Sequence, residues 1–134
     1  MLYVDSNVFI YPAIYDPGDE RAKRSRDLLL KIASGEVEAS TSLLTWDEVV
    51  WVVRKLAGVE ASVRQGALLL KFPHLRFLSL TESTVLRAQM IMEEYGLKPR
   101  DSLHAASALE SGIRIVASYD EDFDRIRGIE RVEP

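Results

Sequence analysis

Ile113-Arg114-Ile115-Val116-Ala117-Ser118-Tyr119-Asp120 is the stretch on which the fold turns. Its first five residues, Ile113–Ala117, are mostly β-branched and follow Gly112. A short apolar run of that kind, bounded by turn residues, reads as a buried strand. It ends in Ser118 and then an acid, Asp120. Leu2-Tyr3-Val4-Asp5 repeats the arrangement at the start of the chain, a short apolar run closed by an acid.

The segments between these two strands read as helices alternating with further short strands. Ser6-Asn7 offers N-cap chemistry for a helix through Val8, Phe9 and Ile10. Pro12 and Asp16-Pro17-Gly18-Asp19 mark a loop. A helix is expected over Glu20–Ala33, with Leu28, Leu29 and Ile32 facing inward and Gly35 stopping it. Val37–Thr41 reads as a second strand. A helix capped by Thr41 or Ser42 follows over Leu43–Leu56, then another over Glu60–Lys71, stopped by Pro73. Leu75–Leu80 is a third strand. Thr81 to Tyr95 and Pro99 to Ser111 give two more helices, closed by Gly96 and Gly112. Ser118–Arg127 holds a turn and a short helix, and Ile129–Val132 is a last edge strand. Strands alternating with helices predict an α/β fold, a three-layer α/β/α sandwich with a mostly parallel sheet of about five strands. The whole chain, residues 1–134, is expected to form one domain.

Composition narrows the chemistry. The chain has 134 residues, a net charge of −4 and no cysteine, so disulfides and thiolate metal sites are excluded. Any metal must be held by oxygen or by His74 and His104, and carboxylates favour hard cations such as Mg²⁺ or Mn²⁺. No run approaches the length of a membrane span, and Met1–Asp5 lacks the basic start of a signal peptide, so a cytoplasmic protein is expected. An acidic balance is unusual for a nucleic-acid binder. It is compatible with one if the acids share a site where bound cations reverse the local sign.

Four acids fall near one rim of the expected sheet. Ligands of open parallel sheets bind beyond the carboxyl ends of the strands. Asp5 and Asp120 follow two such ends, Asp101 opens a helix, and Glu48 lies about one turn into the helix after the second strand. Crowded carboxylates raise each other's pKa, and a divalent cation removes that penalty. A cation so held can activate water and stabilise the charge that develops during phosphodiester cleavage. Plainer roles exist for two of them: Asp5 as a helix N-cap, Asp101 as a first-turn acid favoured by the helix dipole. Glu48 sits beside the apolar stripe of its helix and needs a partner. Asp47 lies further round and reads as solvated. Of Asp120, Glu121, Asp122 and Asp124, one or two can reach a metal.

Four segments together resemble the PIN-domain family, and within it the stand-alone VapC-like toxins. Tyr3-Val4-Asp5-Ser6-Asn7-Val8 is similar to the family's opening strand and D-[TS]-N motif. Thr45-Trp46-Asp47-Glu48-Val49 resembles the segment supplying its glutamate. Pro99-Arg100-Asp101-Ser102-Leu103-His104-Ala105-Ala106 is similar to its D-x-x-H-A-A helix start, and Ser118-Tyr119-Asp120-Glu121-Asp122-Phe123-Asp124 to its [ST]-x-D-x-D-F ending. The resemblance implies Mg²⁺- or Mn²⁺-dependent cleavage of RNA. Asp5 and Asp101 would be the principal metal ligands, Glu48 a third acid and Asp120 a fourth, also on the metal. Asn7 and Ser118 would steady the ligands or the attacking water, with Asp122 and Asp124 as auxiliaries. It also implies an antitoxin partner and a homodimer. A housekeeping RNA-processing nuclease or an inactive RNA-binding scaffold would carry the same pattern.

Other classes fit poorly. A haloacid-dehalogenase-like phosphatase needs a second Asp two residues after the first, where this chain has Asn7. A response-regulator receiver needs an acid pair at the first strand and a lysine after the last. His104, one turn beyond Asp101, reads as a packed histidine that hydrogen-bonds inward, in preference to a general base or metal ligand. Arg21, Lys23, Arg24 and Arg26 on the first long helix, with Arg54, Lys55, Lys98 and Arg100, are either ordinary solvated charges or a track for phosphates; Arg21, Lys23, Arg24 and Arg100 are the candidate RNA contacts. Tyr11, Tyr15 and Tyr119 lie near the rim, able to stack on bases or to fill the ends of the core.

Overall fold

In a computed structural model, which describes all of residues 1–134, five strands and six α-helices alternate along the chain. The strands are β1 (Leu2–Val4), β2 (Ala39–Ser42), β3 (Leu75–Leu78), β4 (Ile115–Ala117) and β5 (Glu130–Val132). The helices are α1 (Ser6–Ile14), α2 (Glu20–Ala33), α3 (Leu43–Ala57), α4 (Val59–Leu70), α5 (Glu82–Tyr95) and α6 (Pro99–Glu110). A short 3-10 turn, Glu121–Arg125, follows β4. The sheet order is β3-β2-β1-β4-β5 and every pairing is parallel. No helix is long and apolar enough to cross a membrane.

The order places β1 in the middle, with Leu2 in register with Ala39 of β2 and Ile115 of β4. The chain first builds outward through β2 and β3, then returns to add β4 and β5 on the other side. Right-handed crossovers then put α1–α4 on one face and α5–α6 on the other. Successive residues of β1 divide accordingly. Tyr3 packs with Ala88, Ile91, Ala105 and Phe123 on the α5–α6 side. Val4 packs with Val8, Phe9, Ile32 and Val49 on the α1–α4 side. Ala105, Ala106 and Ala108 are fully buried, and their small side chains let α6 lie close over the sheet.

Local chemistry accounts for the places where element ends differ from the sequence reading. Asp5 itself, rather than Ser6 or Asn7, caps α1: its carboxylate accepts from the Ser6 amide at 2.8 Å. Pro12, expected in a loop, lies inside α1. Its missing N–H falls in the last turn of a nine-residue helix, where the lost bond interrupts little. Ile113 is not yet strand. Gly112 adopts φ 72°, and the Ile113 amide reaches back to the Ala108 carbonyl at 2.9 Å while that of Gly112 bonds Leu109. This is a Schellman ending of α6, and it spends Ile113 on the cap, so β4 begins at Ile115.

α3 and α4 meet closely because position 66 has no side chain. A Cβ on Gly66 would lie 2.9 Å from Trp46 Nε1 and 3.0 Å from Val50 Cγ2. We predict that Gly66→Leu wedges the two helices apart and costs about 1–3 kcal/mol, the usual penalty for overpacking. Chemical denaturation checks it; an unchanged midpoint would show that the close approach is not needed.

Candidate active site

The site lies where the sheet changes direction. At the carboxyl ends of β1 and β4 the chain leaves towards opposite faces, opening a crevice between the two strands. Asp5 closes β1 and Ser118 closes β4, and the two meet there. The Ser118 hydroxyl donates to Asp5 Oδ2 at 2.6 Å. It also accepts from Asn7 Nδ2 at 3.1 Å and from the Asp120 amide at 3.0 Å. One buried serine thus ties the two strand ends together and aims both following acids. Asn7 Oδ1 is buried and has no hydrogen-bond partner.

Asp101 arrives from the other direction. Pro99 occupies the first turn of α6, and Lys98, extended before it, serves as N-cap without a side-chain hydrogen bond. That start turns Asp101 to the crevice. One carboxylate oxygen each from Asp101, Asp120 and Asp122 lies within 4.8 Å of the other two. Asp120 also caps the 3-10 turn by accepting from the Asp122 amide at 2.9 Å. Burial, then the charges of Asp120 and Asp5, push the Asp101 carboxyl up to about 7. Asp5 is also raised, first by burial, although the charge of His104 and the Ser118 hydrogen bond oppose it.

Glu48 is brought in by His104. The imidazole is 1% exposed, and its Nε2 donates to Glu48 Oε1 at 2.5 Å and lies 3.5 Å from Asp5 Oδ1. On its far side Nδ1 is 2.6 Å from the hydroxyl of the fully buried Tyr3, which can donate to the neutral ring or accept from the charged one. Burial alone would lower the pKa of His104. Asp5, the hydrogen bond to Glu48 and the charges of Glu48 and Asp101 outweigh it and hold the ring above its ordinary value. Glu48 therefore has the partner its place near the apolar stripe requires, while Asp47 is exposed.

The remaining predicted residues divide by position. Asp122 shares the acid group yet also pairs with Arg125 at 2.9 Å. Asp124 turns to Arg131 on β5, which it binds through both oxygens at 2.9 and 3.2 Å. Arg100 lines the cleft, an opening of about 620 Å³ bounded by Glu48, Lys98, Pro99, Arg100, Asp101 and Asp120. Arg21 and Arg24 lie over tyrosine rings on the α2 side, and Lys23 is exposed on the same helix. His74 sits in the loop before β3, with Nδ1 3.0 Å from the Ala33 carbonyl, and takes no part. Sequence reasoning gave no role to Tyr3, whose link to His104 spans 101 residues, and none specific to Lys98. For Lys98 a signal existed: the residue before a helix-opening proline is extended and faces whatever the helix start faces.

The sequence pattern of the PIN domain family matches residues 2–129, and the chain belongs to that family. No curated protein sequence matches it. Solved structures do. The chain is similar to VapC20 of Mycobacterium tuberculosis, a sarcin–ricin loop cleaving toxin, with a TM-score of 0.78, 21% identity and full coverage of both chains. It is similar to the VapBC2 structure from Rickettsia felis, bound to a DNA fragment from its promoter, with a TM-score of 0.73, 16% identity and coverage of 99% and 98%. A VapBC-1 structure from nontypeable Haemophilus influenzae gives 0.70, 19%, 99% and 98%. At these identities the likeness is one of fold.

The raised acids carry a pH signature. A carboxyl whose pKa is higher folded than unfolded binds its proton more tightly in the folded state. The folded chain then holds more protons between pH about 4 and about 7, and stability falls as pH rises through that window. His104, also raised, acts in the same direction: its contribution is complete below the unfolded value and is lost as pH rises through the folded one. In chelator, the melting temperature is expected to fall between pH 5 and pH 7.5, and less so in Asp101→Asn. A slope that is unchanged in the variant would place the strain elsewhere.

Proposed function

We propose that this chain is a divalent-metal-dependent ribonuclease and the toxin of a VapBC-type toxin–antitoxin pair, with residues 1–134 acting as one nuclease domain. The observation that carries the reading is the convergence of Asp5, Asp101, Asp120 and Glu48 at the crevice of a PIN fold, from four separate parts of the chain. Asp101, Asp120 and Asp122, close enough to share a ligand and with the Asp101 carboxyl raised to about 7, form an oxygen-only donor set that suits a hard cation, and Asp5 adjoins it.

Asp5, Asp101 and Asp120 would hold Mg²⁺ or Mn²⁺, with Asp122 as an auxiliary ligand. Such an ion supplies Lewis-acid stabilisation of the charge developing on the phosphate and lowers the pKa of a water. The protein's own groups do the rest. Ser118 and Asn7 fix the orientation of Asp5, and the unpartnered Asn7 Oδ1 remains available to accept from a water or a ribose hydroxyl. His104 holds one oxygen of Glu48 and leaves the other to face the cleft as proton acceptor. Lys98 and Arg100 on the cleft wall offset the charge of the incoming phosphate. Asp124, engaged by Arg131, contributes by steadying the turn that carries Asp120 and Asp122.

The likeness to VapBC structures supports an antitoxin partner, and the exposed apolar surface offers it room. Trp51, Leu56, Val59 and Val63 on α3–α4 and Val85, Leu86 and Met90 on α5 are all more than half exposed. Surfaces of this kind serve a partner protein or a second copy of the chain.

Purified protein incubated with mixed RNA is expected to cut it with Mn²⁺ or Mg²⁺, to stop in chelator, and to be inactive as Asp5→Asn/Asp101→Asn. Cutting that persists in chelator, or in the double variant, would contradict the assignment of these acids. A wild type that neither cuts RNA nor gains thermal stability from Mn²⁺ would remove the enzyme reading.

A further inference from the structure

We infer that Tyr11, Tyr15, Tyr119 and Arg21, on the α1–α2 side of the acid cluster, form a subsite for an unpaired nucleotide of the RNA strand, next to the bond that is cut; this rests on the ribonuclease reading above. Tyr11 and Tyr119 are stacked, with ring centroids 5.2 Å apart and planes at 12°. Tyr15 meets Tyr11 edge-on at 4.9 Å. The Arg21 guanidinium lies 4.8 Å from the Tyr15 centroid and 5.2 Å from that of Tyr11, and the Arg24 guanidinium lies 5.7 Å from Tyr119. The result is a ladder of three tyrosine rings flanked by two guanidinium groups. It is anchored to α2 where the Tyr119 hydroxyl donates to the Arg21 carbonyl at 3.0 Å.

Two further features distinguish this ladder from ordinary surface packing. The first is that its arginines are weakly paired. The nearest acid to Arg21 is Asp19 at 3.7 Å, and that carboxylate already accepts from the amides of Arg21 and Ala22 to cap α2. Arg24 makes no side-chain hydrogen bond, and its Nε is buried without a partner. Leaving a buried charged donor unpaired is costly. Guanidinium groups set against aromatic rings suit a ligand that is both flat and rich in oxygen acceptors. A nucleotide is both, stacking its base and presenting its phosphate.

The second is location. Tyr119 directly precedes Asp120 and follows Ser118, whose hydroxyl holds Asp5. Tyr11 lies one helical turn beyond Asn7 on α1, and the Asn7 side-chain amide donates to the same Ser118 hydroxyl. Lys98 and Arg100 stand on the cleft wall beside Asp101. A strand can then lie with its scissile phosphate over the acids, one neighbouring phosphate at Lys98 and Arg100, and the base on the other side against Arg21 and Tyr15. In a duplex the base faces are occupied by their neighbours, so the ladder selects single-stranded or looped RNA. An acidic protein segment would neutralise the arginines and leave the planar faces unused.

The test is equilibrium binding of a labelled, unstructured RNA oligonucleotide, with Ca²⁺ replacing Mn²⁺ to prevent cutting, to wild type, Tyr15→Ala, Arg21→Gln and Arg21→Lys. Base stacking on this scale predicts a loss of about tenfold in affinity for Tyr15→Ala and Arg21→Gln. Arg21→Lys keeps the charge and loses the plane, and is expected to recover little. An RNA duplex of the same sequence should bind weakly to all four proteins and lose far less on substitution. Mn²⁺ affinity, measured on the same proteins, should stay at the wild-type value and reports an intact acid cluster. If wild type cuts RNA and the variants bind it as tightly as wild type, the subsite is wrong and the ribonuclease stands. Full recovery by Arg21→Lys, or equal losses on duplex and single strand, would reduce the ladder to a phosphate contact and overturn the stacking. A wild type that neither binds nor cuts RNA sinks both readings.

Discussion

Negative charges brought together at the divergence of β1 and β4 are the constraint around which the rest of this molecule is arranged. A β3-β2-β1-β4-β5 order puts the two adjacent strand ends at one crevice, and each is followed by an acid within three residues. α6 adds a third acid at its first turn, and α3 a glutamate. Burial first, and then the charges of Asp120 and Asp5, push the Asp101 carboxyl up to about 7, so the cluster is strained without compensation. The fold tolerates the arrangement because two buried polar groups divide the load. Ser118 satisfies Asp5 from the strand side. His104 satisfies Glu48 and approaches Asp5 from the helix side, with Tyr3 behind it.

Those supports explain polar residues that would otherwise weaken the core. Ser118 and His104 are almost fully buried, as are Thr41 and Thr45, which share a hydrogen bond at 2.6 Å. Buried polar groups are retained where each has a partner, and here the partners lead from the strands to the acids. Asn7 Oδ1, Arg24 Nε and the hydroxyls of Ser102 and Ser107 stand outside this pattern, buried without partners. Of these, Asn7 stands next to the acids, through its hydrogen bond to Ser118.

Much of this was legible in the sequence. The strands, the helices and the three-layer parallel architecture follow from short apolar runs, caps and glycine stops, each acting over a few residues. The errors are also local. Ile113 is β-branched and apolar, as a strand residue should be, but a Schellman ending of α6 claims its amide first. Pro12 breaks helices in general and costs little in a final turn. Of the site, the acids could be placed because they follow strand ends or open helices. Their division of labour could not. That Asp124 turns to Arg131, or that His104 joins Glu48 to Tyr3, depends on side-chain directions across distant elements. The tyrosine–arginine ladder is the same case: its members are scattered over positions 11 to 119 and become a surface only when α1, α2 and the end of β4 pack together.

The central claim is that the crowded acids are a cation site. Anomalous diffraction from crystals grown with Mn²⁺ tests it most directly, because it locates the ion without reference to activity. The account predicts one strong peak in contact with the carboxylates of Asp101 and Asp120, in the crevice that Asp5 closes. Ordered carboxylates with no anomalous peak at saturating Mn²⁺, or a peak held only by surface acids away from β1 and β4, would contradict it.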